Sequence, residues 1–149
     1  MDAIVRLTQE IGKLWRAVRK LQVTGFQRPT WLATALTSTA WDGDSFSTTA
    51  KTVIDLSAVF GAPANIKAVM ICVTINDSAS AGGDYWMILG PTNGAGAGVP
   101  IDCSGLANDQ PERNQVIVPC DANGDIYYQI NASGASTMDV IMQIYGYWL

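Results

Sequence analysis

Two stretches of the sequence group side chains closely enough to suggest chemistry. Asp121-Ala-Asn123-Gly-Asp125 sets oxygen-bearing side chains at alternate positions, as the opening of a calcium loop does. Such a loop closes on a glutamate at its twelfth position, but that position holds Ala132 and a strand-like run intervenes. Asn123-Gly124 between apolar runs is instead a strong hairpin signal, and a hairpin turn with positive φ is the expectation here. Gly94-Ala-Gly96-Ala-Gly98 has the look of a phosphate loop. It lacks the Gly-Lys-Ser/Thr ending, and no amphipathic helix follows to aim N–H groups at an anion. It reads as a flexible loop tip, with Gly82-Gly83 as a second one.

The remaining candidates for chemistry are dispersed. Asp42, Asp44, Asp55, Asp77, Asp84, Asp102, Asp109 and Asp139 fall in or beside expected loops. A glycosidase pair assembles in space rather than in sequence, so spacing leaves that alternative open. Solvated turn aspartates that cap their own backbone are the favoured reading. Trp41, beside Asp42-Gly43-Asp44, is the candidate for stacking against a sugar ring, and a carbohydrate-binding module or glycan depolymerase is the rival function it carries. The chain has no histidine, which removes Ser-His-Asp and Cys-His arrangements and the usual general base near neutrality. Only Lys51, Lys67 and Arg113 are basic beyond residue 28, so few donors exist to stabilise an anionic transition state. The expectation is a protein that is not an enzyme and takes no cofactor. Cys72, Cys103 and Cys120 are odd in number and widely spaced, which suggests neither a disulfide framework nor a zinc site. Cys72 and Cys120 lie in apolar runs and are expected to be small buried hydrophobes. The sequons at Asn76 and Asn131 lack a secretory context and are taken as accidental.

The elements that would position these residues are of two kinds. Ile4, Leu7, Ile11, Leu14, Val18 and Leu21 are spaced alternately by three and four, with β-branched residues at a and leucine at d. That is a coiled-coil seam on a helix over residues 1–22. The seam spans only about two and a half heptads, a length marginal in water, and Gly12 weakens it by ~1 kcal/mol relative to alanine. The helix therefore needs a partner. A narrow a/d seam favours sister chains over packing on its own domain, although an amphipathic helix covering one sheet face remains the alternative. A membrane-surface or RNA-binding helix, suggested by Trp15 with Arg16, Arg19 and Lys20, lacks a second basic or aromatic cluster. Those three cations are instead candidates for docking on an acidic partner protein.

After a linker over residues 23–30, where Pro29 stops any helix, residues 31–149 read as short strands between turn clusters. Strands are expected near 31–36, 51–57, 66–76, 85–90, 99–103, 114–120, 125–131 and 138–148, with one helical turn at Ala58-Val59-Phe60. Segment 66–76 is apolar at nearly every position and should be a central strand covered on both faces. The aromatics Trp31, Tyr85, Trp86, Tyr127, Tyr128, Tyr145, Tyr147 and Trp148 are expected in the core or at a subunit interface. The fold expected is all-β, a single jelly-roll-like β-sandwich of about eight strands behind a short N-terminal coiled-coil helix.

Charge divides the chain the same way. Residues 1–28 carry six basic side chains against two acidic ones, a net +4, and the remainder has three against eleven, a net −8. An acidic body repels nucleic acid, so none is expected as a partner. No apolar run reaches the ~18–20 residues of a membrane span, and charges interrupt any signal-peptide core at the N-terminus. Neither membrane insertion nor secretion is expected, and synthesis in a cytoplasm is.

A short coiled coil (IVRLTQEIGKLWRAVRKL) precedes a compact β domain with segments such as TVIDLSAVFGAPANIKAV, VPCDANGDIYYQI and DVIMQIYGYWL. In this the chain resembles small structural proteins of tailed bacteriophages: short trimeric fibre, spike and head-decoration proteins. The resemblance is one of architecture and carries over no catalytic or binding residue. It implies a homotrimer, where the seam alone leans towards two strands. It also implies a place in the virion, after synthesis in the host cytoplasm, as a tail fibre or spike projecting a β domain. The implied partners are the chain itself, another virion protein contacted through the N-terminal region, and a host surface glycan. The alternative role is a decoration or cement protein of the capsid.

Overall fold

The computed structural model describes residues 8–16, 28–38, 51–94 and 97–149. A helix over 8–16 (α1) is followed by eight strands: β1 Thr30–Thr37, β2 Thr52–Ile54, β3 Ala68–Asp77, β4 Trp86–Gly90, β5 Val99–Asp102, β6 Glu112–Pro119, β7 Ile126–Asn131 and β8 Met138–Trp148. A second helix, α2, spans Leu56–Phe60, and Ser80–Gly82 forms a 3-10 turn. Each expected strand is present within a few residues of its expected place.

The strands form two antiparallel sheets of four, in the order β1-β8-β3-β6 (the first sheet) and β2-β7-β4-β5 (the second). Alternation decides which side chains face inward. Val69, Ile71, Val73 and Ile75 of β3, with Met138, Val140, Met142 and Ile144 of β8, come from the first sheet; Met87, Leu89, Ile126, Tyr128 and Ile130 come from the second. All belong to one buried cluster, which is the core of a β-sandwich. The pairing follows a rule: β1 with β8, β2 with β7, β3 with β6 and β4 with β5, so that each pair of numbers sums to nine. The pairs β3·β8 and β4·β7 join these ladders into sheets.

The first correction concerns residues 55–57, which the sequence assigns to a strand. Asp55 ends β2 by capping α2: its Oδ1 accepts from the backbone N–H of Ser57 (3.0 Å) and Ala58 (2.9 Å) and from the Ser57 hydroxyl (2.7 Å). Gly61, at φ +68°, closes the helix one turn later. The expected helical turn is therefore real and starts earlier than its apolar residues indicate.

The second correction concerns Asn123-Gly124, which is a turn but not a hairpin, because β6 and β7 lie in different sheets. Asp121 Oδ1 accepts from the N–H groups of Asn123 (2.8 Å) and Asp125 (3.0 Å), and the Gly124 N–H donates to the Asp121 carbonyl at 3.2 Å. Gly124 alone takes positive φ, at +93°. A Cβ there would stand 2.9 Å from the Asn65 backbone nitrogen. The one connection between neighbouring strands of the same sheet is the glycine-rich stretch between β4 and β5. Gly98 fits its base because a side chain there would run into the Leu89 carbonyl.

Candidate functional site

Of the six seam residues, Ile11 and Leu14 lie on α1, whereas Ile4, Leu7, Val18 and Leu21 fall outside the described residues. Both described residues stand in solvent, Ile11 at 47% and Leu14 at 67% exposure, with Trp15 beside them at 60%. Arg16 is exposed on the same helix, while Arg19 and Lys20 lie outside the described residues. The Lys13–Glu10 ion pair (2.8 Å), one turn apart and exposed, adds only a few tenths of a kcal/mol to the helix. Within a single chain, then, the apolar stripe of α1 is left in water.

A second apolar surface lies on the side of the first sheet that faces away from the core. The register places Trp31 opposite Gly146, Gly146 opposite Met70, and Met70 opposite Ile117, a row that crosses all four strands. Gly146 makes the row flat. A Cβ on it would come within 3.3 Å of the Trp31 ring, so the indole lies against the strand only because no side chain is there. Cys72 is in the next position along β3, and Ile141 faces the same way, opposite Thr74. Trp31 is 63% exposed, Ile117 55% and Ile141 59%. The expectation that β3 is covered on both faces is thus met on the core side only, since Met70 and Thr74 are half-buried. Among the aromatics, Tyr128 is in the core, Tyr85 and Tyr147 pack against it, and Trp31 is outside it. Consecutive apolar residues in β3 and at Val116-Ile117-Val118 of β6 were the signal for this surface, and the sequence reading followed it only for β3.

The carboxylates are engaged by the fold itself. Asp77 is fully buried, contrary to its reading as a solvated turn residue. Its Oδ1 accepts from the Ala79 N–H (2.9 Å), and its Oδ2 from the Ser133 N–H (3.0 Å) and the Thr137 hydroxyl (3.1 Å). Burial pushes this carboxyl up, but the donors from Ser133, Ala79 and Thr137 outweigh it and hold it below the ordinary range. Asp102 accepts from the Ser104 N–H at 2.7 Å, Asp84 from the Ser104 hydroxyl at 3.2 Å, and Asp139 from the Asn76 amide at 3.3 Å. Asp125 Oδ1 accepts from the Leu56 N–H at 3.2 Å. Its carboxyl is pushed up by burial and by the charges of Asp55 and Asp121. The pseudo-calcium segment therefore turns its oxygens towards the backbone. Asn131, of the second sequon, donates its amide to the Asp84 carbonyl.

The three thiols are free. Cys72 and Cys103 are buried and Cys120 is half-buried. Burial, with the charges of Asp121 and Asp125, pushes the Cys120 thiol up to about 12, and burial also raises Cys103. Neither forms a thiolate readily, which suits hydrophobic packing rather than nucleophilic chemistry. Lys51, one of the few basic groups of the domain, is buried and donates to the Ala97 carbonyl, tying the β4–β5 connection down; burial lowers its pKa. Trp41, Asp42 and Asp44 lie outside the described residues. No helix among the described residues is long and apolar enough to cross a membrane. No protein-family model matches the chain, and no curated protein matches it in sequence.

Proposed function

We propose that this chain is a non-enzymatic structural protein of a virion, a homo-oligomer in which N-terminal helices bundle along their heptad seams and β domains project. The observation that carries the reading is the exposure of Ile11 and Leu14 on α1, since apolar seam residues left in solvent call for sister helices. The sum-of-nine pairing supports it, because we read this connectivity as a jelly roll, an antiparallel ribbon folded over into two sheets. With the resemblance to short phage fibre and spike proteins, the proposed state is a trimer. Its basic helix end, through Arg16, Arg19 and Lys20, seats on an acidic virion protein.

Sedimentation equilibrium tests the reading. The wild-type chain should run as an oligomer, and Leu14→Asp, which places a charge from every chain in the central d layer, should lower its mass at micromolar concentration. A wild type that is monomeric across the accessible range would remove the proposal. Cosedimentation with purified heads or with purified tails of a phage that carries the chain then separates capsid decoration from a fibre.

A further inference from the structure

The far side of the first sheet carries one apolar row across its width, flanked by a row of Gln143, Cys72 and Gln115, and has no layer over it among the described residues. We propose that copies of this chain pack on one another through this surface, along the row Trp31, Gly146, Met70 and Ile117, with Ile141 two rows further along the same face. The inference rests on the self-association reading above and names the surface that carries it.

Four observations select a second copy as the occupant. The strand pattern comes first: β3 is apolar on both faces, a composition suited to a strand buried between two layers. Its core side is sealed, whereas on its far side Met70, next to exposed Ile117, and Thr74, next to exposed Ile141, are half-buried on either side of buried Cys72. Connectivity comes second. The seam ends at Leu21 and β1, the edge strand of this same sheet, begins at Thr30, so residues 22–29 join them. Eight residues span at most about 28 Å, so sister chains gathered by the seam meet near the first sheet. Third is the edge itself. β1, TWLATALT, has no charge and no proline along its length; its one protection against edge pairing is the irregularity between Trp31 and Leu36. The opposite edge, β6, carries Glu112 and Arg113. The fourth is size. Four strands about 4.8 Å apart and roughly seven residues long present about 450 Å² in projection. Roughened by side chains, that approaches the ~800 Å² each partner contributes to a standard interface. Charges occur only towards one end of the surface, where Arg113 bonds the Thr74 hydroxyl (3.0 Å) and Asp139 accepts from Asn76. Their opposite signs suit a contact between like molecules.

The test uses the full chain and compares two surfaces. Ile117→Lys with Ile141→Lys charges the far side of the first sheet, Val53→Lys does the same to an exposed apolar residue of the second sheet, and Leu14→Asp disables the seam. Sedimentation across a concentration series should show self-association weakened on the order of 100-fold by the paired lysines, because they leave charges unpaired in a buried layer. The Val53→Lys protein should keep the wild-type mass, and circular dichroism should show both proteins folded. An independent readout is acrylamide quenching of Trp31, taken as the difference between wild type and Trp31→Phe. It should be slow in the oligomer and fast in dilute Leu14→Asp monomer. If the paired lysines leave mass and dissociation constant unchanged while Leu14→Asp lowers the mass and raises the dissociation constant, the surface is not the interface and the oligomeric reading stands. If Trp31 is shielded equally in the monomer, the chain's own N-terminal segment covers the sheet and the inference fails. A monomeric wild type removes both readings.

Discussion

The two ends of the sandwich are each organised by aspartates, and they do it in opposite ways. At one end, Asp77 at the close of β3 gathers three connections. Its carboxylate holds Ala79 of the β3–β4 stretch and Ser133 and Thr137 of the β7–β8 stretch, while its carbonyl accepts from the Ser80 hydroxyl (2.6 Å) and the Asp109 N–H (3.0 Å). At the other end, Asp55, Asp121 and Asp125 divide the work, each bonded to one or two nearby turns. The same side chain is consequently driven in opposite directions. Asp77 is held below the ordinary carboxylate range despite burial, because its donors outnumber what burial takes away. Asp125 is raised, because it has one backbone donor against burial and two like charges. Number of donors, not burial, separates a keystone from a point of strain.

Removing the keystone should have the largest effect. Asp77→Ala leaves the Ala79 and Ser133 N–H groups without their acceptor, while the Thr137 hydroxyl keeps the Gly134 carbonyl at 3.0 Å, and should cost about 3 kcal/mol. Urea denaturation measures it, and a loss under about 1 kcal/mol would mean that the three connections hold themselves. At the other end, Gly124→Val forces a β-branched residue to positive φ and into the Asn65–Ile66 backbone. The expected loss is about 2 kcal/mol, visible as a lower melting temperature in calorimetry.

Acid should discriminate Asp55 and Asp77 from Asp125. Asp55 and Asp77 are both depressed, so their contribution is present above the ordinary aspartate value of 3.8 and is lost as pH falls through their lower folded values. Stability followed by denaturant midpoint should therefore drop below about pH 4, and the drop should shrink in Asp77→Asn. An unchanged acid limb in that variant would assign the effect elsewhere. The smallest effect is expected at Asp125. Its folded form favours the proton, so ionisation weakens the fold as pH rises through the raised value. Asp125→Asn keeps an oxygen for the Leu56 N–H and removes the repulsion. At neutral pH it should lie within about 0.5 kcal/mol of wild type, on the stabilising side. A clear destabilisation would show that the carboxylate charge is used there.

Strand positions were legible in the sequence because apolar runs and turn residues are local signals. Pairing was not. Asn123-Gly124 looks like a hairpin because the dipeptide reports a backbone conformation, not which sheet the next strand joins. Asp55 was hidden inside an apolar run although its capping chemistry, followed by Gly61, could have marked α2. Asp77 resembled any loop aspartate, and its burial depends on Ser133 and Thr137, far along the chain. The far-side surface was half legible: β3 announced two covered faces, but Trp31, Ile117 and Ile141 come together only through register. Of the seam residues, Ile11 and Leu14 are described, and they lie on α1 in solvent.

The position of β8 has a consequence for how the protein is made. β8 is the last of the eight strands to be synthesised, yet it sits between β1 and β3, the strands it joins. Until it emerges from the ribosome, β1 lacks its pairing partner and β3 has an open side, so the first sheet stays open until β8 has been made. Loop closure over nearly the whole domain makes that last insertion a slow step. The N-terminal seam leaves the ribosome long before it. Under the proposed bundling, neighbouring nascent chains on one message would meet through their helices while their β domains are still unfinished, and the helix would set the stoichiometry before any folded surface is available to check it.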